Sequence, residues 1–137
     1  MPYLRIVKPL WVLASLAALG GCGMTGPAHD APMANAAAVV DMGFTSFEPE
    51  TVHIRAGQTV QWRNTALITH NVSDDTAKAT NPNDASIPQG ATPFDSGDIS
   101  AGEVYSHTFT VPGTYKYFCG HHEDDAMFGT VIVDPAP

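Results

Sequence analysis

YKYFCGHHEDDAM, residues 115–127, is followed directly by the apolar run FGTVIV, residues 128–133. Its centre holds a C-x2-H-x4-M pattern formed by Cys119, His122 and Met127. One short loop between two predicted strands therefore presents a thiol, an imidazole and a thioether. Cys and Met are soft ligands that suit Cu(I), and imidazole suits both oxidation states of copper. The segment predicts a copper site in a β-rich domain.

Short alternating runs separated by turn residues fill the chain upstream of this loop. The predicted strands are 39–47, 51–55, 59–64, 103–110, 114–118 and 128–133. Several short strands at this spacing indicate an all-β, antiparallel sandwich or barrel. Residues 74–98 contain Pro82, Pro88 and Pro93 and few large apolar residues, so we expect a long connection with a helical turn or a short edge strand.

A fourth copper ligand must come from outside the loop, and His70 is the best candidate because it follows the predicted strand 59–64. Two His and one Cys in a trigonal set, with a weak axial Met, form the blue-copper arrangement. Three alternatives stay open. Cys119 could be a buried core residue, and Met127 could likewise pack in the core. His121 could replace His122 as the ligand.

These motifs resemble the plastocyanin-like cupredoxins over residues 39–133. The matching pieces are the Cys119 to Met127 loop and the segments Gly102-Glu103, Phe109, Pro112-Gly113, Tyr115, Gly129 and His70-Asn71-Val72. The resemblance implies a Greek-key β-sandwich of about eight strands with one type 1 copper at one end. It also implies that Asn71 ties the two ligand loops together, as residues behind metal ligands do. Ala126 departs from the Gly common before the axial Met.

The resemblance implies a non-enzymatic protein that shuttles single electrons through Cu(I)/Cu(II) between redox protein partners. A copper chaperone or scavenger is the alternative, although such a protein favours an open, exchangeable site without a thiolate. Multicopper enzymes with this fold need further domains and additional His clusters, which 137 residues with six His cannot supply. A metal-free adhesion domain leaves the ligand cluster unexplained.

The N-terminus has the pattern of an export signal. Arg5 and Lys8 precede the apolar run 10–19, which is shorter than the about 20 residues that span a bilayer. The following Leu-Gly-Gly-Cys sequence ends at Cys22 and resembles a bacterial lipoprotein signal. We therefore predict a signal peptide at 1–21, lipidation of Cys22, a flexible tether at 22–37 and the copper domain at 38–137. A disulfide between Cys22 and Cys119 is the alternative.

The chain is acidic, with 14 Asp plus Glu against 6 Lys plus Arg. This charge argues against nucleic acid as a partner, because phosphates would be repelled. It favours solubility and a basic redox partner. We expect an exported, periplasmic or extracytoplasmic monomer that is lipid-anchored to a membrane. We also expect a negative rim near His122, formed by Glu123, Asp124, Asp125, Asp74 and Asp75.

Overall fold

Seven strands organise residues 34–137, the part of the chain that the computed structural model describes. They are β1 Ala38–Met42, β2 Phe47–Glu48, β3 Thr51–Arg55, β4 Gln58–Asn64, β5 Val104–Phe109, β6 Gly113–Phe118 and β7 Phe128–Asp134. A 3-10 turn at Pro82–Asp84 is the remaining element. No helix within these residues is long and apolar enough to cross a bilayer. The predicted signal peptide, the predicted lipidation site Cys22 and most of the predicted tether lie outside the described residues.

The strands form two sheets, which confirms the all-β sandwich. The first sheet has the order β2-β1-β4-β5 and the second has the order β3-β7-β6. Two pairings are parallel, β1 with β4 and β3 with β7, so both sheets are mixed, which corrects the expectation that the sandwich is antiparallel. The alternation of apolar and polar residues indicates which face of a strand is buried, but it does not indicate the direction of the neighbouring strand. The two parallel pairings therefore could not be predicted from the sequence.

The core lies between the two sheets, where the alternating apolar side chains meet. Val52 and Ile54 of β3 are buried while the residues on either side of them are exposed. Trp62 of β4 is fully buried, and its ring lies 5.4 Å from the ring of Tyr117. Gly129 packs against Tyr117 so closely that an added Cβ would lie 2.2 Å from the Tyr117 ring. Full burial of each large apolar side chain contributes about 1.5–3 kcal/mol.

The connection 74–98 makes isolated bridges instead of an eighth strand. Ser73 bridges both Asp95 and Phe118, and Ser86 bridges Lys116 of β6. Proline lacks the N–H group that a continuous ladder requires, and three prolines interrupt this segment. Residues 34–137 therefore form seven strands, in line with the expected number of about eight, and the connection lies along β6 toward the Cys119 loop.

Candidate metal centre

Asn64, at the end of β4, shapes the loop that leads to His70. Its Nδ2 atom donates to the carbonyls of Ile68 at 2.8 Å and Ile99 at 2.9 Å, and its Oδ1 accepts from the amide of Ala66 at 3.0 Å. His70 then pairs with Ile99 through two backbone hydrogen bonds of 3.1 and 2.7 Å. The His70 side chain is fully buried, and the pairing with Ile99 fixes the backbone that carries it.

The second ligand loop starts where β6 ends and closes on itself before β7. The amide of Cys119 donates to the carbonyl of Met127 at 3.1 Å, and the amide of His122 donates to the carbonyl of Cys119 at 3.1 Å. Cys119 and Met127 are fully buried in the core cluster, whereas His122 is only partly buried. The loop therefore inserts its two sulfur ligands into the protein and leaves one edge of the imidazole toward solvent.

Three donor atoms from the two loops converge. The Nδ1 atoms of His70 and His122 each lie 3.6 Å from the Sγ atom of Cys119. The donor atoms of all three residues lie within 4.8 Å of one another. A metal with bonds of about 2.0–2.1 Å to nitrogen and about 2.3 Å to sulfur would hold trigonal nitrogen and sulfur ligands about 3.8 Å apart. This spacing and a donor set of two imidazole nitrogens and one thiolate sulfur fit copper, and with Met127 these residues form a type 1 copper-like site.

Burial shifts the pKa of two donor residues in the metal-free site. It raises the pKa of the Cys119 thiol, although backbone N–H groups, the first from Asn71, act in the opposite direction. Burial, followed by the nearby His122 ring, lowers the pKa of His70, while the Gly43 carbonyl opposes this shift. That carbonyl lies near the ring, although Nε2 of His70 makes no hydrogen bond of standard geometry with residues 34–137. Both shifts favour the uncharged forms, the neutral imidazole and the protonated thiol.

Asn71 joins the two ligand loops. Its side-chain Oδ1 accepts from the amide of Gly120 at 2.7 Å, and its own amide donates to the Sγ atom of Cys119 at 3.5 Å. The first bond holds the residue after Cys119 against the residue after His70. The second places an N–H dipole against the sulfur, which favours the thiolate over the thiol.

His121 lies outside the convergent set. Its Nε2 atom pairs with the Oδ1 atom of Asp98 at 2.8 Å, and its side chain is 45% exposed. The adjacent His122 is the histidine that meets His70, with ring centroids 4.9 Å apart. Of the two candidates left open by the sequence, the described geometry favours His122 as the ligand.

The expected negative rim is only partly present, and Asp74 is where the prediction is wrong. Asp74 is 1% exposed and accepts from the amide of Phe94 at 2.7 Å. Its Oδ2 atom is buried without a partner among residues 34–137. Burial raises the pKa of Asp74 to about 7, although the hydrogen bond from the Phe94 amide acts to lower this pKa. This carboxyl is a core group, Asp75 is half-buried, and Asp124 and Asp125 of the loop are exposed as expected.

Glu123 is also engaged with the protein. Its two carboxylate oxygens accept from the amides of Thr80 and Asn81 at 2.9 and 3.0 Å. Burial alone would raise the pKa of Glu123, but these backbone donors outweigh it and lower the pKa. Together with the Asp98 to His121 pair, this contact brings the connection 74–98 onto the ligand loop at two points.

Sequence reasoning missed the contributions of Asn64, Asp98 and Gly43 to this site. Asn64 carries a weak local signal, because Asn at the end of a strand commonly organises the following turn. Asp98 and Gly43 carry none, since each meets its histidine only through the tertiary fold.

Comparison with known proteins agrees with this geometry. Residues 34–134 match the family of copper binding proteins described as the plastocyanin/azurin family. A plastocyanin from Scenedesmus fuscus is 38% identical over 97 residues, which cover 68% of this chain and 91% of the relative. A plastocyanin from Nostoc punctiforme is 32% identical over 96 residues, covering 68% of each. The Cu(I) form of an amicyanin mutant superimposes with a TM-score of 0.59 at 31% identity, covering 74% of this chain and 86% of that one.

Proposed function

Since the chain belongs to the plastocyanin/azurin family of copper-binding proteins, we propose that it carries single electrons between redox proteins outside the cytoplasm. As a cupredoxin it is a blue copper electron-transfer protein rather than an enzyme. The proposed ligands are His70, Cys119, His122 and Met127. The observation that carries the proposal is the convergence of both Nδ1 atoms on the Cys119 sulfur at 3.6 Å.

The protein holds its donors in place before any metal binds. His70 is fixed by its pairing with Ile99, and Cys119 by the amide of Asn71. Bound copper would supply the Cu(I)/Cu(II) couple that accepts and returns one electron. Because the donor positions are set by backbone hydrogen bonds and core packing, the ligands need little rearrangement between the two states. The partly exposed edge of His122 is, by family resemblance, the exit for electrons.

A copper chaperone or scavenger is the second candidate, and the burial of the site argues against it. His70, Cys119 and Met127 are each 0% exposed. A protein that hands its metal to a partner needs an open route to the ligands, whereas this pocket presents only the edge of His122.

Repeated oxidation and reduction of the copper-loaded protein distinguishes these functions. We expect reversible one-electron cycling with full retention of copper in the presence of a competing chelator. Loss of copper on each reduction would support the chaperone. We also expect His122→Ala to disrupt the blue spectrum, while His121→Ala leaves it nearly intact. The reverse result would show that the ligand loop is assigned to the wrong histidine.

The N-terminal segment supports a proposed membrane location. The charged start, the short apolar run and the Leu-Gly-Gly-Cys sequence together favour a signal peptide at 1–21 and lipidation of Cys22. The segment 22–37 would then tether the copper domain to the membrane. Cys22→Ser should block acylation and leave the protein uncleaved or released. A cleaved mutant that remains tightly bound to membranes would contradict lipidation.

The charge of the chain supports a basic partner and a monomeric carrier. Asp124 and Asp125 are exposed beside His122, and the whole sequence has a net charge of −8. Like-charged molecules repel, whereas a basic redox protein would be steered to this end of the sandwich. Transfer to such a partner should slow as ionic strength rises. Capture of the intact lipoprotein from native membranes would identify the partner.

A further inference from the structure

Glu123 directly follows the partly exposed ligand His122, and its carboxylate bonds to a distant part of the chain. Oε2 accepts from the amide of Thr80 at 2.9 Å and Oε1 accepts from the amide of Asn81 at 3.0 Å. Both oxygens are thus used by backbone donors, which is the arrangement that a carboxylate satisfies better than any neutral side chain. Asp124 and Asp125, the next two acids, are exposed.

The residues that receive Glu123 belong to a well-anchored turn. The Asn81 side chain accepts from the amide of Asn83 at 3.1 Å and begins the 3-10 turn Pro82–Asp84. Ser86 then exchanges two backbone hydrogen bonds with Lys116 of β6, at 3.1 and 2.9 Å. Since Cys119 directly follows β6, the turn is connected to the strand that leads into the ligand loop.

On the other side of the contact, Glu123 lies in the turn that presents His122. The amide of Ala126 donates to the Glu123 carbonyl at 3.0 Å, and the amide of Met127 donates to the His122 carbonyl at 3.2 Å. His70 is held by a bridge on its own backbone, whereas His122 is only partly buried and lies in a loop. The Glu123 carboxylate is therefore one of two side-chain contacts, together with the His121 to Asp98 pair, that tie this loop to the connection 74–98 next to His122.

We propose that Glu123 is a positioning residue, which holds the His122 imidazole in its ligating position by fastening the ligand loop to the amides of Thr80 and Asn81. The connection 74–98 then acts as a rigid support for the exposed half of the metal centre. This inference rests on the proposed ligation of copper by His122. It concerns the reach and geometry of the carboxylate and not its charge alone.

Two kinds of variant separate geometry from charge. Glu123→Asp keeps the charge but shortens the side chain by one methylene, so the carboxylate no longer reaches both amides. Asp124→Asn removes one negative charge from the adjacent residue and leaves the contact intact. Glu123→Gln keeps the reach and one acceptor oxygen but loses the second. It serves as an intermediate case, and as a second test if Glu123→Asp folds poorly.

The first measurement is amide hydrogen exchange in the metal-free protein, which does not depend on copper. Loss of a charge-assisted hydrogen bond should speed exchange at Thr80 and Asn81 by about ten-fold in Glu123→Asp. Glu123→Gln should show a smaller increase, and Asp124→Asn should match the wild type. Unchanged exchange in both Glu123 variants would overturn the proposed contact.

The second measurement is the NMR line width of the histidine ring protons in the Cu(I) protein. Glu123→Asp should broaden the His122 ring signals at least about two-fold through motion of the loop, while the His70 signals stay as in the wild type. Asp124→Asn should broaden neither. Equal broadening of both histidines, or of His122 in Asp124→Asn, would contradict a positioning role. A wild-type protein that binds no copper would instead refute the proposed function and leave the exchange result standing.

Discussion

The Nδ1 atom of His70 lies 3.6 Å from the Sγ atom of Cys119, although 49 residues separate them in the chain. His70 lies in the connection after β4, and Cys119 lies in the loop after β6. A hydrogen bond of 2.7 Å from the Gly120 amide to the Asn71 side chain holds the two segments together. A copper site built this way depends on the complete sandwich. It is not a property of the C-x2-H-x4-M loop alone.

Copper binding should release about one proton at pH 8, and that proton should come from Cys119. Burial raises the pKa of this thiol, so it is protonated at pH 8, whereas histidines are generally neutral there. Metal coordination requires the thiolate. Calorimetric titration with Cu(II) in buffers of different ionisation enthalpy measures this release. The Cys119→Ser variant should release no such proton, and equal release from both proteins would contradict the prediction.

The buried Asp74 should make the protein less stable as pH rises. Its pKa is raised to about 7 in the folded state from an ordinary value of 3.8. The folded protein therefore binds more protons than the unfolded chain between these values, so stability falls through this window. Between pH 5 and pH 8 the loss should be about 2–3 kcal/mol.

Asp74→Asn should remove that dependence, because an amide keeps an acceptor for the Phe94 amide without a charge to desolvate. Denaturant unfolding of the metal-free wild type and variant at pH 5 and pH 8 measures the difference. Asp134→Asn, at the exposed end of β7, is the matched control and should retain the wild-type slope. Parallel pH profiles for wild type and Asp74→Asn would show that the carboxyl is not buried as described.

Ala126→Gly should stabilise the metal-free protein by about 0.5–1 kcal/mol. Ala126 has a φ of 57°, in the left-handed region that favours glycine. Glycine removes this strain. It also raises the conformational entropy of the unfolded chain, which offsets part of the gain in stability. Thermal unfolding of both proteins provides the comparison. Ala101→Gly, at an exposed turn residue without a positive φ, should lose stability instead, and a loss in both variants would argue against strain at Ala126.

The exposed acids of the loop should lower the reduction potential. A carboxylate about 8 Å from the copper contributes about 0.5 kcal/mol in water, which corresponds to about 20 mV. Asp124→Asn combined with Asp125→Asn should therefore raise the potential by about 40 mV at low salt, and by less at high salt. Voltammetry measures this shift. Asp134→Asn, at the far end of β7, should have a smaller effect, and an equal shift from it would exclude a local cause.

Much of the fold follows from local sequence. The predicted strand 51–55 coincides with β3, because Val52 and Ile54 alternate with residues that face solvent. Pairing direction does not follow, because the parallel register of β1 on β4 depends on how the two sheets close. Asp74 resembled a surface acid, since charged residues are rarely buried, and only the tertiary structure shows its position.

In the copper site, too, local features can be predicted from the sequence and long-range contacts cannot. The spacing of Cys119, His122 and Met127 is readable because one loop carries all three residues. Contacts that join the loop to residues 80–98 span 23 to 43 positions, so no local pattern records them. The family resemblance predicts Asn71 as a supporting residue, whereas the contacts of Glu123 and Asp98 are visible only in the structure.

Absorption spectroscopy during Cu(II) titration tests the central claim most directly. The wild-type copper domain should turn intensely blue at one equivalent of Cu(II), through charge transfer from the Cys119 thiolate. The colour should bleach on reduction and return on oxidation, and Cys119→Ser should show none of it. A colourless wild-type complex, or equal colour in Cys119→Ser, would contradict the assignment of a blue copper centre.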